Sequence, residues 1–307
     1  MSISTTQLAK ICGVSQGTVD RALNNRPGIS QATKEKILEA AKAYNYRPNM
    51  HARSMAGGKT MLIGIVLFDT QNPYFSDLIN AVEKECRKHG YSIVVMLTDR
   101  DPRREIQCVQ SLAHMSVDGI IICPSESGND YESFLGSLNI PVMTVGNHLS
   151  NIPHLGIDNH SSMSDALDYA LEQGYKKLIY VRPDLRGNNA VAQEERYAAF
   201  LDYVTSNQIP FEETDRQNAT EVDCTSERSA FVCPTDVLAV QLLKYAHEKN
   251  AGIIGFDSIS ILDTTGLKLD SMGYDLELTA SLLVDNVKRG TAHSAIIPHK
   301  LIIRGSL

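Results

Sequence analysis

Tryptophan is absent from this sequence, and no apolar run in it is long enough to cross a membrane. The chain has 307 residues, of which 43% are apolar and 6% aromatic, whereas a membrane helix needs roughly 20 consecutive apolar residues. The first ten residues also lack the charged-then-apolar pattern of a secretion signal. We therefore expect a cytoplasmic protein with no membrane partner, long enough to form two or three domains.

Spacings typical of metal sites, disulfide frameworks and nucleotide enzymes are missing as well. The six cysteines are scattered and show no CxxC or Cys/His metal spacing. The apolar run at 61–69 is not followed by GxGxxG, and neither GxxxxGK[ST] nor HExxH occurs. We therefore expect reduced core cysteines, no metal, no cofactor, no catalytic residues and no enzymatic activity.

Charge is divided unevenly along the chain. Residues 1–58 hold eight Lys or Arg and three Asp or Glu, a surplus of five positive charges. The whole chain carries −7, so the remaining residues have a surplus of twelve negative charges. A basic head on an acidic body indicates a head that binds a polyanion and a body that does not.

The basic segment begins with two short helical patterns. Ser4 with Gln7 predicts a helix start, and Gly13 permits the left-handed turn that ends the helix. Ser15 is the expected cap of a second helix over 16–24. The apolar residues expected to face inward are Leu8, Ala9, Ile11, Val19 and Leu23. A helix–turn–helix unit of this kind typically lays its second helix in a DNA major groove.

A third helix is needed, because two helices this short bury too little apolar surface to stand alone. Ser30 is its expected cap, and residues 33–44 carry the helical period. Its inward stripe is predicted to be Ile37, Leu38, Ala41 and Tyr44.

The head also resembles a known family. GVSQGTVDRALN, followed by ISQATKEKILEAAKAYNYRPNMHARSM, is similar to the start of the lactose-repressor (LacI/GalR) family of bacterial transcription regulators. The GVSxxTVxRxLN core, the YxPN turn and the ARS-M hinge stand at the family's spacings. The resemblance implies an all-α helix-turn-helix DNA-binding head and an α/β periplasmic-binding-protein-like body with two Rossmann-like lobes of parallel strands.

The second helix is expected to present Gln16, Gly17 and Arg21 to DNA bases. Arg can bond guanine and Gln can bond adenine, each good pair contributing about 1–3 kcal/mol of discrimination. The alternative is a solvated helix face with Arg21 on a phosphate, and Thr18 is expected on phosphate or backbone. Asp20 stands where the family usually has serine. Its carboxylate would accept from a cytosine amino group or pair with a neighbouring base-contacting side chain, which leaves the operator sequence open.

Residues 48–59 are predicted to form a hinge helix and linker. In the resembled family a leucine from each subunit opens a minor-groove step, and Met55 stands at the matching position. The alternative is an ordinary domain linker. The complete set of predicted DNA-binding residues is Ser15, Gln16, Gly17, Thr18, Asp20, Arg21, Asn24, Ala52, Arg53 and Met55.

The body alternates apolar runs with helical patterns, which indicates a doubly wound α/β architecture. We predict a helix-turn-helix domain at 1–47, the hinge at 48–59 and an effector-binding and dimerisation domain at 60–307. The N-lobe would comprise about 60–158 and 275–298, and the C-lobe about 159–274 and 299–307. Between Phe200 and Asp236 the chain is shorter than is usual in the family. A helix covering one face of the C-lobe is therefore expected to be truncated or lost, which leaves that face less stable or covered by a partner.

Two such lobes form a cleft at the carboxyl ends of their strands, where ligands of this architecture bind. The body motifs NPYF, IPVMTVGN, GIDN, ERYAAF and IGFDSI resemble the sugar-binding module of the same family. Acids, amides and arginine suit the hydroxyl pairs of a polyol, and an aromatic ring can cover its apolar face. The predicted effector-binding residues are Asp69, Phe75, Asn147, Arg196, Asp236 and Asp257. Packing or capping is the open alternative for Asp69 and Asp236.

The predicted function is sequence-specific transcriptional regulation by a homodimer. A repressor would bind palindromic double-stranded operator DNA and respond to a small effector, a sugar or related polyol, bound between the lobes. The alternatives are control by a protein co-regulator and a sugar-binding protein without a DNA role.

Overall fold

A computed structural model describes residues 3–23, 25–46, 59–183, 190–224 and 227–307. The chain divides into two compact units, Met1–Thr60 and Met61–Leu307. Within the described residues, no helix is long and apolar enough to cross a membrane.

The first unit is a three-helix cluster. Its helices are α1 (Thr5–Cys12), α2 (Gln16–Leu23) and α3 (Gln31–Ala43). The Ser4 side chain accepts from the Gln7 N–H while the Gln7 side chain accepts from the Ser4 N–H, and Gly13 ends α1 with φ 68°. These are the predicted capping box and left-handed turn.

The core of the head differs from the prediction at three positions. It is formed by Leu8, Ala9, Cys12, Val19, Ala22 and Ile37. Ile11, Leu38 and Tyr44 were expected inside but are 43%, 41% and 50% exposed. At about 100° of rotation per residue, Cys12 lies between Leu8 and Ala9 on the inward face of α1, while Ile11 points away from it.

The second unit contains two sheets of six strands. The first has the order β11-β5-β4-β3-β1-β2 and is parallel throughout. Its strands are β1 (Leu62–Leu67), β2 (Ser92–Leu97), β3 (Gly119–Ile122), β4 (Val142–Val145), β5 (His154–Gly156) and β11 (Ala295–Ile296). The helices that alternate with them are α4 (Pro73–Lys88), α5 (Pro102–His114), α6 (Asn129–Ser137) and α11 (Leu276–Arg289).

The second sheet has the order β12-β10-β9-β8-β6-β7. Its strands are β6 (Lys177–Arg182), β7 (Phe211–Asp215), β8 (Ser229–Val232), β9 (Gly252–Phe256), β10 (Asp270–Tyr274) and β12 (His299–Ile302). All its pairings are parallel except that of β12, which runs antiparallel to β10. The accompanying helices are α7 (Asn159–Glu172), α8 (Val191–Ser206), α9 (Asp236–Glu248) and α10 (Ile261–Thr265). We call the lobe that contains the first sheet the first lobe and the lobe that contains the second sheet the second lobe.

Burial explains why the strands of the body were recognisable. In β3, β4, β8 and β9 every residue is buried, as the near-continuous apolar runs predict for parallel strands covered by helices on both faces. The elements that the sequence pattern did not reveal are β5, β7, β11 and α10. All of them are short, and β7 alternates exposed and half-buried residues at a sheet edge.

The shortened segment before α9 lacks an α-helix among its described residues, as expected. Between β7 and β8 the described residues include a 3₁₀ turn, Ala219–Glu221. The face beneath is nevertheless partly covered, because Ala219, Val222 and Cys224 are buried in one cluster with residues of β6 and β8. The short connection therefore covers part of this face, and the expectation of lower stability or of a covering partner stays a prediction.

Candidate functional site

The exposed face of α2 carries the predicted DNA-contacting residues of the head. Gln16, Gly17 and Arg21 are exposed, whereas Val19 and Ala22 are buried in the head core. A Cβ added at Gly17 would meet only the Ser15 side chain at 3.8 Å, so packing within the head does not require glycine there. This arrangement leaves one side of α2 to bind a partner.

Ser15 caps α2. Its Oγ accepts from the Thr18 N–H at 3.2 Å and lies 2.9 Å from the Thr18 hydroxyl. The residues from Gly13 to Gly17 also spell G-x-S-x-G, the pattern of a serine-hydrolase nucleophile. That motif requires a strand-to-helix turn, whereas this serine joins two helices. The pattern therefore carries no catalytic meaning here.

Asp20 pairs with a basic neighbour that the sequence reading did not single out. An Arg26 Nη1 donates to its Oδ2 at 3.1 Å, and both side chains are about half exposed. Arg26 is not among the predicted base-contacting residues, so both roles predicted for this carboxylate on DNA stay predictions. Asn24, Ala52, Arg53 and Met55, also predicted to bind DNA, lie outside the described residues.

In the body, a cavity of about 310 Å³ lies between the two lobes. It is lined from the first lobe by Asp69, Phe75 and Asn147, and from the second by Arg196 and Asp257. Asp69, Asn147 and Asp257 each follow the end of a strand, and Phe75 and Arg196 belong to helices α4 and α8. The structure thus brings five of the six predicted effector-binding residues to one cavity.

Asp257 is the polar centre of this cavity. One of its oxygens accepts from the Asn72 amide of the first lobe at 2.8 Å, and the other lies 3.4 Å from the Arg196 guanidinium. Burial raises the pKa of Asp257, while the positive charge of Arg196 acts in the opposite direction. The residue has φ 105°, a backbone conformation that is costly for aspartate and that concentrates at functional sites.

Arg196 is 5% exposed and is held on several sides. Its Nη1 donates to the Pro234 carbonyl at 2.5 Å, and its Nε donates to Asn159 Oδ1 at 3.0 Å. The guanidinium also lies 4.9 Å from the centre of the Phe256 ring. A rigid, charged fork of this kind can donate to adjacent hydroxyl groups in a fixed direction.

The opposite wall combines aromatic rings with a second ion pair. Phe68 and Phe75 meet edge to face at 4.9 Å, and the Arg100 guanidinium lies 3.7 Å from the centre of the Phe68 ring. Arg100 also pairs with Asp69 at 3.4 Å. Phe68, Arg100 and Tyr274 line the cavity without having been predicted. All three stand at or just beyond a strand end, the position that identified Asp69.

Asp236, the sixth predicted residue, does not line the cavity. It is buried behind Asp257, where its oxygens accept from the Ser271 hydroxyl at 2.6 Å and the Ile259 N–H at 2.9 Å. Burial and the nearby charge of Asp257 raise its pKa to about 7. Its position supports the chain on either side of Asp257, in agreement with the packing alternative.

The lining suits a small ligand rich in hydroxyl groups. It offers carboxylate and amide oxygens, two guanidinium groups and two phenylalanine rings. The two acids and two arginines that line it balance each other in formal charge. Within the part of the chain that the structure describes, no cluster of three or more His, Cys, Asp or Glu side chains is arranged to hold a metal ion.

Comparison with known proteins identifies both parts of the chain. A family profile described as "Bacterial regulatory proteins, lacI family" matches residues 6–49. A second, "Periplasmic binding proteins and sugar binding domain of LacI family", matches residues 60–223, more than half of the chain.

Individual relatives agree with these profiles. The ribose operon repressor of Halalkalibacterium halodurans is 27% identical, with 97% of this chain and 95% of that protein covered. The transcriptional regulator PtxS of Pseudomonas plecoglossicida is 34% identical over 64% of this chain and 58% of its own length. A lac repressor dimer bound to operator and an anti-inducer is 20% identical and has the same fold, with a TM-score of 0.82, 100% of this chain and 99% of that chain covered.

The predicted fold and family are therefore confirmed, and the matched family consists of regulators and not of enzymes. The chain belongs to the lacI family of bacterial regulatory proteins.

Proposed function

We propose that this regulator is a repressor that binds a palindromic operator as a homodimer and is controlled by a neutral monosaccharide or related polyol. The observation that carries the proposal is the Arg196–Asp257 pair in an interlobe cavity, on the same chain as a basic helix-turn-helix head. The lac repressor neighbour, a dimer on its operator, supports the DNA and dimer parts.

Charge and size support a neutral ligand with one ring. The acids and arginines of the cavity balance in charge. A charged ligand would bind one member of an ion pair and leave the other member with an incompletely compensated charge. A volume of about 310 Å³ lies at the small end of the roughly 300–1,000 Å³ typical of ligand pockets. The name of the ribose operon repressor agrees with a ligand of this size.

The DNA-binding role rests on the exposed face of α2. Gln16 and Arg21 are the proposed base-reading residues, and residues 48–59 are the proposed hinge that follows the head. The body, residues 60–307, would carry the effector cavity and the dimer contacts. Because the body has a large negative surplus, its repulsion from DNA should restrict contact to the head and the hinge.

The DNA-binding part is tested by a mobility shift on the DNA upstream of the protein's own gene, at low salt. The full-length protein is expected to shift this DNA. Arg21→Ala should weaken binding roughly 5- to 150-fold for each half-site, because each subunit of the dimer loses one bidentate base contact. Lys42→Ala removes the same charge from α3 and is the matched control, with a smaller loss expected. An Arg21→Ala protein that footprints the same site with unchanged affinity would refute the assignment.

The ligand part is tested by a thermal-shift panel of pentoses, hexoses, sugar phosphates and purines. We expect a neutral sugar to raise the melting temperature of the wild type and to change its operator affinity. Asp257→Asn retains the shape of the side chain but removes the charge opposite Arg196, so its response to the sugar should be largely lost. A response to sugar phosphates alone would contradict the neutral ligand.

A further inference from the structure

A histidine from the first lobe pairs with an acid from the second lobe beside the cavity. His148 follows β4, and Glu195 lies on α8 directly before Arg196. His148 Nε2 is 2.8 Å from Glu195 Oε1, and their side chains are 35% and 43% exposed. The contact therefore crosses the mouth of the cleft without belonging to the cavity lining.

The second oxygen of Glu195 connects this contact to the effector-binding arginine. Glu195 Oε2 accepts from the Asn159 amide at 2.7 Å, and Asn159 Oδ1 accepts from Arg196 Nε at 3.0 Å. Asn159 and Arg196 are both buried, so water cannot easily replace the hydrogen bond between them, whereas the Asn159–Glu195 hydrogen bond is partly buried. Because Arg196 also pairs with Asp257, the hydrogen bonds run without a break from His148 to the centre of the cavity.

This path returns to the first lobe at its other end. Asp257 accepts from Asn72, which caps helix α4 of the first lobe. This series of hydrogen-bonded side chains begins and ends in the first lobe and passes through the second. All of its hydrogen bonds can therefore form only when the lobes are closed. The backbone N–H of Ala192, also on α8, donates to Asn147 Oδ1 of the first lobe at 3.4 Å in the same region.

From this geometry we infer that Glu195 is a positioning residue and that the His148–Glu195 pair is a latch coupling lobe closure to the orientation of Arg196. The inference rests on the proposed sugar-binding function of the cavity. When the lobes open, Glu195 loses His148, and the Asn159 amide and the Arg196 fork lose part of their support. A ligand that needs both lobes and a correctly oriented Arg196 then binds a smaller population of competent molecules, which lowers its apparent affinity.

The two members of the latch should differ in their effect. The His148 contact is partly exposed, and exposed pairs of this kind contribute little, so His148→Ala should weaken sugar binding only about 1.5- to 5-fold. His148→Gln keeps a hydrogen-bond donor and should restore most of the loss. Glu195→Ala removes the acceptor of the buried Asn159 amide as well, so it should weaken binding roughly tenfold or more.

Isothermal titration of the full-length variants with the sugar that stabilises the wild type measures these differences. His160→Ala is the matched control, because His160 faces Asp202 within the second lobe at 3.8 Å. Its sugar affinity should equal that of the wild type. Equal affinity in His148→Ala, Glu195→Ala and the wild type would overturn the inference.

Hydrogen exchange of the ligand-free protein tests the latch independently of any sugar. His148→Ala should accelerate exchange at the start of α8, including the Ala192 N–H, while His160→Ala should not. Faster exchange together with no sugar binding by the wild type would sustain the latch and refute the proposed ligand. Unchanged exchange together with normal sugar binding would refute the latch and leave the proposed function intact.

Discussion

Asp236 is a buried carboxyl that does not line the cavity but makes the stability of the folded protein depend on pH. It accepts hydrogen bonds from the Ile259 N–H and the Ser271 hydroxyl. Burial and the nearby negative charge of Asp257 raise its pKa from 3.8 to about 7. In the unfolded chain the group ionises near its ordinary pKa. The folded state therefore holds the proton more tightly than the unfolded state between about pH 4 and 7, and stability falls as the pH rises through that window.

Asp236→Asn should remove this pH dependence while keeping the shape of the side chain. The unfolding free energy of the variant minus that of the wild type should increase between pH 4 and pH 7 and stay constant above pH 7. The full pKa shift of Asp236 corresponds to an increase on the order of 4 kcal/mol. Urea unfolding at a series of pH values measures it, with Asp202→Asn on the surface of α8 as the control. A difference that does not vary with pH would contradict the raised pKa.

Asp20 is the residue of α2 whose substitution should raise the affinity for DNA in general and also change the preferred DNA sequence. Asp20→Ser removes a carboxylate from the helix proposed to face DNA and releases Arg26 from its 3.1 Å ion pair, so general affinity for DNA should rise while the preferred sequence changes. Selection from randomised DNA measures the preference. Glu39→Ser removes an equal charge from α3 and should raise affinity without changing the preferred sequence. Identical selected sites for Asp20→Ser and the wild type would show that Asp20 does not influence base reading.

At the scale of elements, β9 delivers Asp257 to the cavity and depends on a glycine to do so. A Cβ at Gly255 would stand 2.2 Å from Asp236 Oδ1 and 3.3 Å from the Ala239 Cβ. Asp236 is held by two hydrogen bonds and cannot easily move away. Close approach of α9 to β9 is therefore possible only with glycine at this position.

Gly255→Ala should destabilise the body by about 1–3 kcal/mol through overpacking and should weaken sugar binding by displacing the end of β9. Denaturant unfolding and titration of the same sample measure the two effects. Gly136→Ala in α6 is the control, because its added Cβ meets nothing within 4 Å and alanine favours the helix. If Gly255→Ala proves as stable as Gly136→Ala, the close packing of α9 on β9 is not required.

The elements also show where sequence patterns succeed and fail. Buried runs such as those of β8 and β9 were predicted because parallel strands covered on both faces are apolar throughout. Two-residue β11 and edge strand β7 carry no such pattern, since partners distant in sequence define them. The 3₁₀ turn at Ala219–Glu221 was not predicted either, because its burial depends on contacts with residues of β6 and β8 that are distant in sequence.

At the scale of the whole molecule, the two proposed binding events should respond differently to salt. Operator binding relies on basic side chains that displace counterions, so affinity should fall steeply between about 50 and 200 mM salt. Sugar binding involves the buried Arg196–Asp257 pair and the partly buried Arg100–Asp69 pair, which balance in charge and are screened less than exposed charges. Fluorescence anisotropy with DNA and calorimetry with the sugar, at matched salt concentrations, check this. A sugar affinity that falls in parallel with DNA affinity would indicate a charged ligand.

The sequence by itself determined the helix-turn-helix head and the α/β body, because capping residues, apolar periods and charge are local properties of the chain. The family was predicted from the resemblance of motifs such as GVSQGTVDRALN to those of the lactose-repressor family. The sequence also identified Asp69, Asn147 and Asp257, since residues at strand ends meet at one edge of a parallel sheet, and Phe75 and Arg196 through the motifs NPYF and ERYAAF that resemble the family's sugar-binding module. Only the tertiary structure decided that Asp236 lies behind the cavity, that Ile11 and Leu38 are exposed, and that Arg26 pairs with Asp20. It alone revealed the path from His148 to Arg196, because that path joins side chains from both lobes that no local pattern relates.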